Sequence, residues 1–230
     1  MTSPDCPPVK PADAQAQSLR RRDFNRFLLG AVPLIATPSE TLLVLGDSLS
    51  AEYGLERGSG WVALSQSKLA LTHPKVQVMN ASISGDTTSG GLSRLPHLLT
   101  VHKPFAVVIE LGANDALQGL DIKGTQSNLS QMVVLAQEAH AKTVLVGTQV
   151  PPNYGLEYNR AFAQVFVKVS REQHAILVPS LFSALGQHLK SLPAQEGQLE
   201  RWFQSDHLHP LKEAHPYLLE AVWPAIQKTI

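Results

Sequence analysis

Beyond its first forty residues the chain alternates short, nearly uninterrupted apolar runs with longer segments of helical period, and this alternation most constrains its fold. Runs of strand length stand at 41–45, 76–79, 105–111, 143–147 and 176–178. Their almost continuous apolar character is that of strands covered on both faces. Between them, Leu129, Met132, Val133 and Ala136 make one helical stripe, and Ala161, Phe162, Val165, Phe166 and Val169 make another. The apolar segment 217–226 predicts a C-terminal helix, with Pro224 breaking or kinking its end. Strands that alternate with helices need crossover connections. The expected architecture is therefore α/β: three layers, α/β/α, around a central five-stranded parallel sheet of flavodoxin-like type. In such folds ligands sit outside the carboxyl ends of the strands, so chemistry is expected just after each apolar run.

The first forty residues follow different rules. Residues 1–23 are rich in Pro, Ala, Gln and charge and lack an apolar period. Such a stretch buries too little surface to offset the entropy of ordering it. Arg20-Arg21-Arg22 then precede the apolar run from Phe27 to Ala36. A positive block followed by about ten apolar residues has the form of an export signal and is too short to span a membrane. Arg21-Arg22-Asp23-Phe24 with Arg26 also resembles the twin-arginine variety. The expectation is a leader over 1–36 and a folded domain over 37–230, located in the periplasm or secreted. The alternative is a cytoplasmic protein whose tail packs on the domain as a short helix.

Charge and cysteine usage exclude several classes. Lys+Arg and Asp+Glu both total 19, so no charge excess points to nucleic acid. Loss of 1–36 would leave 14 basic against 16 acidic residues, a mildly acidic domain. Cys6 is the single cysteine, which excludes an intrachain disulfide and a multi-cysteine zinc site. No stretch approaches the roughly 18–20 apolar residues of a spanning helix, so stable membrane insertion is not expected.

Small, polar, chemically capable residues follow the runs as the fold predicts. Gly46-Asp47-Ser48-Leu49-Ser50 follows the first, Asn80-Ala81-Ser82-Ile83-Ser84-Gly85-Asp86-Thr87 the second, and Gly112-Ala113-Asn114-Asp115 the third. Asp206-His207-Leu208-His209-Pro210 precedes the last helical segment. Each has an ordinary structural explanation: a capping Ser, a turn Gly, Asn and Asp bonding to nearby backbone, a chance Asp-x-x-His. Four together at successive functional positions carry more weight than any one.

These blocks resemble those of the GDSL-type, or SGNH, hydrolases. Gly46-Asp47-Ser48-Leu49 matches the first block, Gly85 the second, Gly112-x-Asn114-Asp115 the third and Asp206-x-x-His209-Pro210 the last. The resemblance runs from Thr41 to Ile230 and is greatest to the bacterial periplasmic acyl-CoA thioesterase and lysophospholipase branch, through the stretches 43–51, 80–87 and Pro152-Asn153-Tyr154-Gly155. Two departures are visible: Ala113 stands where that branch has Gly, and His207-Leu208 fills the gap between Asp206 and His209.

The resemblance implies an SGNH hydrolase domain over 37–230 that hydrolyses acyl esters, acyl thioesters and lysophospholipids. Acyl transfer needs a nucleophile, a base, an orienter for the base and donors for the oxyanion. Ser48, His209 and Asp206 would fill the first three roles. The backbone N–H groups of Ser48 and Gly85 and the side-chain amide of Asn114 would hold the oxyanion. Asp47 and Asp115 are expected to be structural, and Asp86 and Thr87 to cap the following helix. His73, His97, His102, His140, His174, His188 and His215 lack ligand spacing, and neither a metal nor another cofactor is expected. Leu117 and Leu120 in one loop, and Pro152 and Tyr154 in another, are expected to shape the acyl pocket. A monomer acting on a small-molecule acyl substrate is the expected state. A carbohydrate O-deacetylase of the same fold and a non-catalytic binding module are the competing readings.

Overall fold

A computed structural model describes residues 40–150, 154–193 and 200–230. The candidate export signal and Pro152 lie outside the described residues. Five strands form one sheet: β1 (Thr41–Gly46), β2 (Gln77–Asn80), β3 (Ala106–Glu110), β4 (Lys142–Val146) and β5 (Ile176–Val178). Their order is β2-β1-β3-β4-β5 and every neighbouring pair is parallel. The helices are α1 (Trp61–Thr72), α2 (Thr88–His102), α3 (Ala113–Leu117), α4 (Ile122–Glu138), α5 (Leu156–Glu172), α6 (Ser183–Ser191) and α7 (His215–Gln227).

Alternate residues of β1 divide the core between the two faces of the sheet, as the two-residue period of a strand requires. Leu42 and Val44 pack with Trp61 and Leu69 of α1, Leu185 of α6 and Leu218, Val222 and Ile226 of α7. Leu43 and Leu45 pack with Leu95 of α2, the four stripe residues of α4, and Phe162, Val165, Phe166 and Val169 of α5. Three layers result, as the alternation predicted.

Several local expectations need correction. The edge strand β2 is largely exposed rather than covered on both faces, since only β1 flanks it. Ala161 is exposed, one position outside the buried stripe of α5. Pro224 lies inside α7 and does not end it. Glu220, whose carbonyl would have received the missing N–H, is exposed, so the lost bond falls on the solvent side. Thr87 caps α2 by accepting from Gly90 N–H at 3.2 Å, whereas Asp86 pairs with Arg94 Nη2 at 2.8 Å. His215, by contrast, is the packing residue its lack of ligand spacing implied: it is buried, and its Nδ1 accepts the Trp61 N–H at 3.0 Å, tying α7 to the start of α1.

Candidate active site

The strand order places the site. From β1 the chain moves to β2 on one side, then crosses to β3 on the other, so connections leave β1 and β3 in opposite directions. The crevice this opens at their carboxyl ends is where such sheets bind ligands. Ser48 follows β1 and Asn114 follows β3, one on each side of it. The segment after β2 keeps bonding to β1, with Ala81 N–H donating to Val44 O at 2.8 Å and Ile83 N–H to Gly46 O at 3.0 Å. This lays Gly85 against the same crevice.

Ser48 sits in a tight turn rather than at a helix cap. Ser50 and Ala51 N–H groups donate to Asp47 O at 3.2 and 2.9 Å, and α1 begins only at Trp61. His209 arrives on an excursion of the chain pinned by an antiparallel bridge between Phe203 and Pro210. Gln204 N–H donates to His209 O at 2.7 Å and Leu211 N–H to Trp202 O at 2.7 Å, closing that excursion. Within it Asp206 Oδ1 accepts from the N–H groups of Leu208 and His209 at 2.9 and 3.0 Å. Those bonds, the His209 N–H foremost, hold the Asp206 carboxyl down at about 2. Asp206 Oδ2 lies 2.6 Å from His209 Nδ1, and His209 Nε2 lies 2.8 Å from Ser48 Oγ. An ionised Asp206 can only accept, so Nδ1 carries the proton and Nε2 presents its lone pair to the serine hydroxyl.

Ser48, Gly85 and Asn114, the oxyanion donors expected from sequence, line one cavity with His209. Ser48 and Gly85 N–H groups have no protein acceptor among the described residues. Gly85 has φ +82° and is the third residue of a turn closed by Asp86 N–H on Ile83 O at 3.1 Å. A Cβ there would meet nothing within 4 Å, so backbone conformation, not crowding, calls for glycine in the free protein. Asn114 Nδ2 donates to Asp86 O at 3.0 Å and to Asp47 Oδ2 at 3.2 Å. Both its hydrogens are thus engaged, and donation to a ligand would trade one of these contacts.

Behind Ser48 stand two buried carboxyls. Asp47 Oδ1 accepts the Leu49 N–H at 3.0 Å, and Ser50 Oγ donates to Glu110 Oε2 at 2.7 Å. Burial pushes Asp47 up to about 6, and burial with the neighbouring Asp47 pushes Glu110 well above the usual carboxylate range. Asp115 accepts from Thr88 N–H at 2.8 Å and Thr125 Oγ1 at 3.1 Å, locking α3 to α2 and α4. Glu110 was hidden in sequence by its apolar run; a lone acid inside that run was the available signal.

A cavity of about 540 Å³ opens beside Ser48, lined by Gly85, Asn114 and His209 and walled by Leu49, Leu117, Val150, Phe182, Phe203 and Leu208. Of the expected pocket residues, Leu117 lines it. Leu120 does not, because the chain turns away after α3 at Gly119 (φ +68°), and Tyr154 does not, because it packs on Tyr158 of α5 at 5.8 Å. Tyr53, Phe182 and Phe203 are wall residues that no motif marks, since they come from three separated parts of the chain. Among the described residues no group of three metal-ligating side chains occurs.

Comparison with known proteins agrees with this geometry. The model of the GDSL-like lipase/acylhydrolase family matches residues 44–215. Esterase TesA of Pseudomonas aeruginosa is 44% identical, over 82% of this chain and 89% of that protein. Thioesterase 1/protease 1/lysophospholipase L1 of Escherichia coli is 38% identical, over 84% of this chain and 85% of its own. A solved structure of the psychrotrophic esterase EstA from Pseudoalteromonas sp., inhibited by monoethylphosphonate, is 39% identical with a TM-score of 0.72, covering 82% of this chain and 97% of that one. With the match spanning the Ser48 turn, the Gly85 and Asn114 segments and the His209 excursion, the chain belongs to the GDSL-like lipase/acylhydrolase family.

Proposed function

We propose that this ester hydrolase works through an acyl-enzyme on Ser48, with His209 as base, Asp206 as its orienter, and Ser48 N–H, Gly85 N–H and Asn114 Nδ2 as oxyanion donors. The observation that carries the reading is the unbroken chain of contacts from Asp206 through His209 to Ser48, at 2.6 and 2.8 Å, at the mouth of a largely apolar cavity. Ser48 Oγ attacks the acyl carbonyl carbon while its proton passes to His209 Nε2. The tetrahedral intermediate collapses, the leaving alcohol or thiol takes that proton, and the acyl group stays on Ser48. Water then attacks the acyl-enzyme, gives its proton to His209, and the acid leaves as Ser48 regains its hydrogen.

The cavity is of a size that holds a drug-sized or acyl ligand, commonly ~300–1,000 Å³, and its walls favour a hydrocarbon chain over a sugar. Acyl esters, acyl thioesters and lysophospholipids are the proposed substrates, in keeping with the names of the relatives. The domain is residues 37–230, acting as a monomer, and the Arg21-Arg22 leader directs it to the periplasm or medium. Among the described residues no helix is long and apolar enough to cross a membrane.

An organophosphonate ester tests the mechanism directly. Mass spectrometry is expected to find one adduct, on Ser48, with activity lost in proportion. Labelling elsewhere, or full activity in Ser48→Ala, would overturn the assignment. A panel of p-nitrophenyl esters is expected to show preference for medium or long acyl chains; a strict preference for acetyl would instead favour the O-deacetylase reading.

A further inference from the structure

His209 is held along its edge by Asp206 and Ser48, and it is also covered on its face. The Tyr53 ring lies against the imidazole with centroids 4.4 Å apart and planes inclined by 39°. Tyr53 belongs to the loop after β1, not to the His209 excursion, and Gln204 fastens the two together. Gln204 Nε2 donates to Tyr53 O at 2.9 Å and to Pro210 O at 3.4 Å, while Gln204 N–H donates to His209 O at 2.7 Å. Gly54, at φ +70°, leaves the space; a Cβ there would run into Gln204 Oε1.

We propose that Tyr53 is a positioning residue of the reaction, its aromatic face stabilising His209 in the protonated form through which acyl transfer passes, with Gln204 holding the ring in place. This rests on His209 being the base. The imidazole is neutral before Ser48 attacks and cationic once it has taken the serine proton. An aromatic face attracts a cation more than a neutral ring, so the contact strengthens as the barrier is climbed. Interactions of that kind raise kcat rather than lower KM. Tyr53 is 50% exposed, which places the effect at roughly two- to fivefold in kcat. The charged or titratable groups facing His209 are Asp206 and Asp47, with His207 lining the same cavity and Asp86 beside Asp47. All of them are retained when Tyr53 is changed.

The test compares Tyr53→Leu, Tyr53→Phe, Tyr53→Trp and Gln204→Leu in the full-length chain, using a p-nitrophenyl ester over a range of pH. Tyr53→Phe and Tyr53→Trp keep an aromatic face and are expected to stay within about 1.5-fold of wild type in kcat. Tyr53→Leu is expected to lose roughly two- to fivefold in kcat and to move the acid limb of kcat/KM to lower pH, with Gln204→Leu intermediate. Unchanged kcat and acid limb in Tyr53→Leu, whatever its KM, would reduce Tyr53 to a wall of the cavity and overturn the proposal. A loss in Tyr53→Phe equal to that in Tyr53→Leu would overturn it too, by assigning the effect to the hydroxyl. His209→Ala in the same assay separates the layers: activity surviving there removes the base assignment itself, while background activity there leaves Tyr53 to be judged by its own variants.

Discussion

Asp47 and Glu110 are two carboxyls buried directly behind Ser48, and that cost to the fold has a use at the site. Asp47 has one oxygen on the Leu49 N–H, which shapes the serine turn, and the other on Asn114 Nδ2, which orients the amide proposed as an oxyanion donor. Asn114→Ala removes the proposed oxyanion donor, and kcat is expected to fall on the order of 10²–10³-fold in steady-state ester hydrolysis. Glu110 makes a different prediction. Its folded-state pKa is raised by burial, so the folded protein holds a proton that the unfolded chain releases. Stability from this group is complete below the unfolded carboxyl range and declines as pH rises towards the raised folded value. Glu110→Gln keeps an acceptor for Ser50 and never ionises. Its thermal midpoint is therefore expected to fall less than that of wild type between pH 5 and pH 8; parallel curves would show that Glu110 carries no such linkage.

Ser48, Gly85 and His209 stand on segments between regular elements and Asn114 in the first turn of α3, and the elements set their spacing. Gly91 shows how tightly. It is buried on the inner face of α2, where a Cβ would run into Leu111 Cδ1 and meet Met132 Sδ at 3.4 Å. Leu111 follows β3 and directly precedes Gly112 and the start of α3, so α2 packs closely on this junction because residue 91 has no side chain. Gly91→Ala gains about 1 kcal/mol in helix propensity but overpacks a filled core at about 1–3 kcal/mol. A net loss of up to about 2 kcal/mol is expected in urea unfolding. The apolar stripes of α4 and α5 were legible because helical period records burial directly. The exposure of β2 was not, since edge or centre depends on which strands pair, and pairing partners are remote in sequence.

At the scale of the whole molecule, one crossing of the chain from one side of β1 to the other makes the crevice in which Ser48, Gly85 and Asn114 meet. Removal of residues 1–36 is expected to leave ester hydrolysis by purified protein within about twofold, since every proposed catalytic residue lies beyond them; loss of activity with cooperative unfolding retained would place part of the site in the removed segment. The alternation of apolar runs with helical stripes was enough by itself to determine the layered α/β fold, because burial on one or two faces imposes a period on the chain. It also located the chemically capable blocks, because these folds bind ligands at the strand ends. Only the tertiary structure decided how those blocks meet: the contacts from Asp206 through His209 to Ser48, the second carboxyl behind the serine, the ring of Tyr53 on the imidazole and the cavity walls. Those contacts join residues as far apart as Ser48 and His209, and no local period or spacing encodes a distance set by the packing of separate elements.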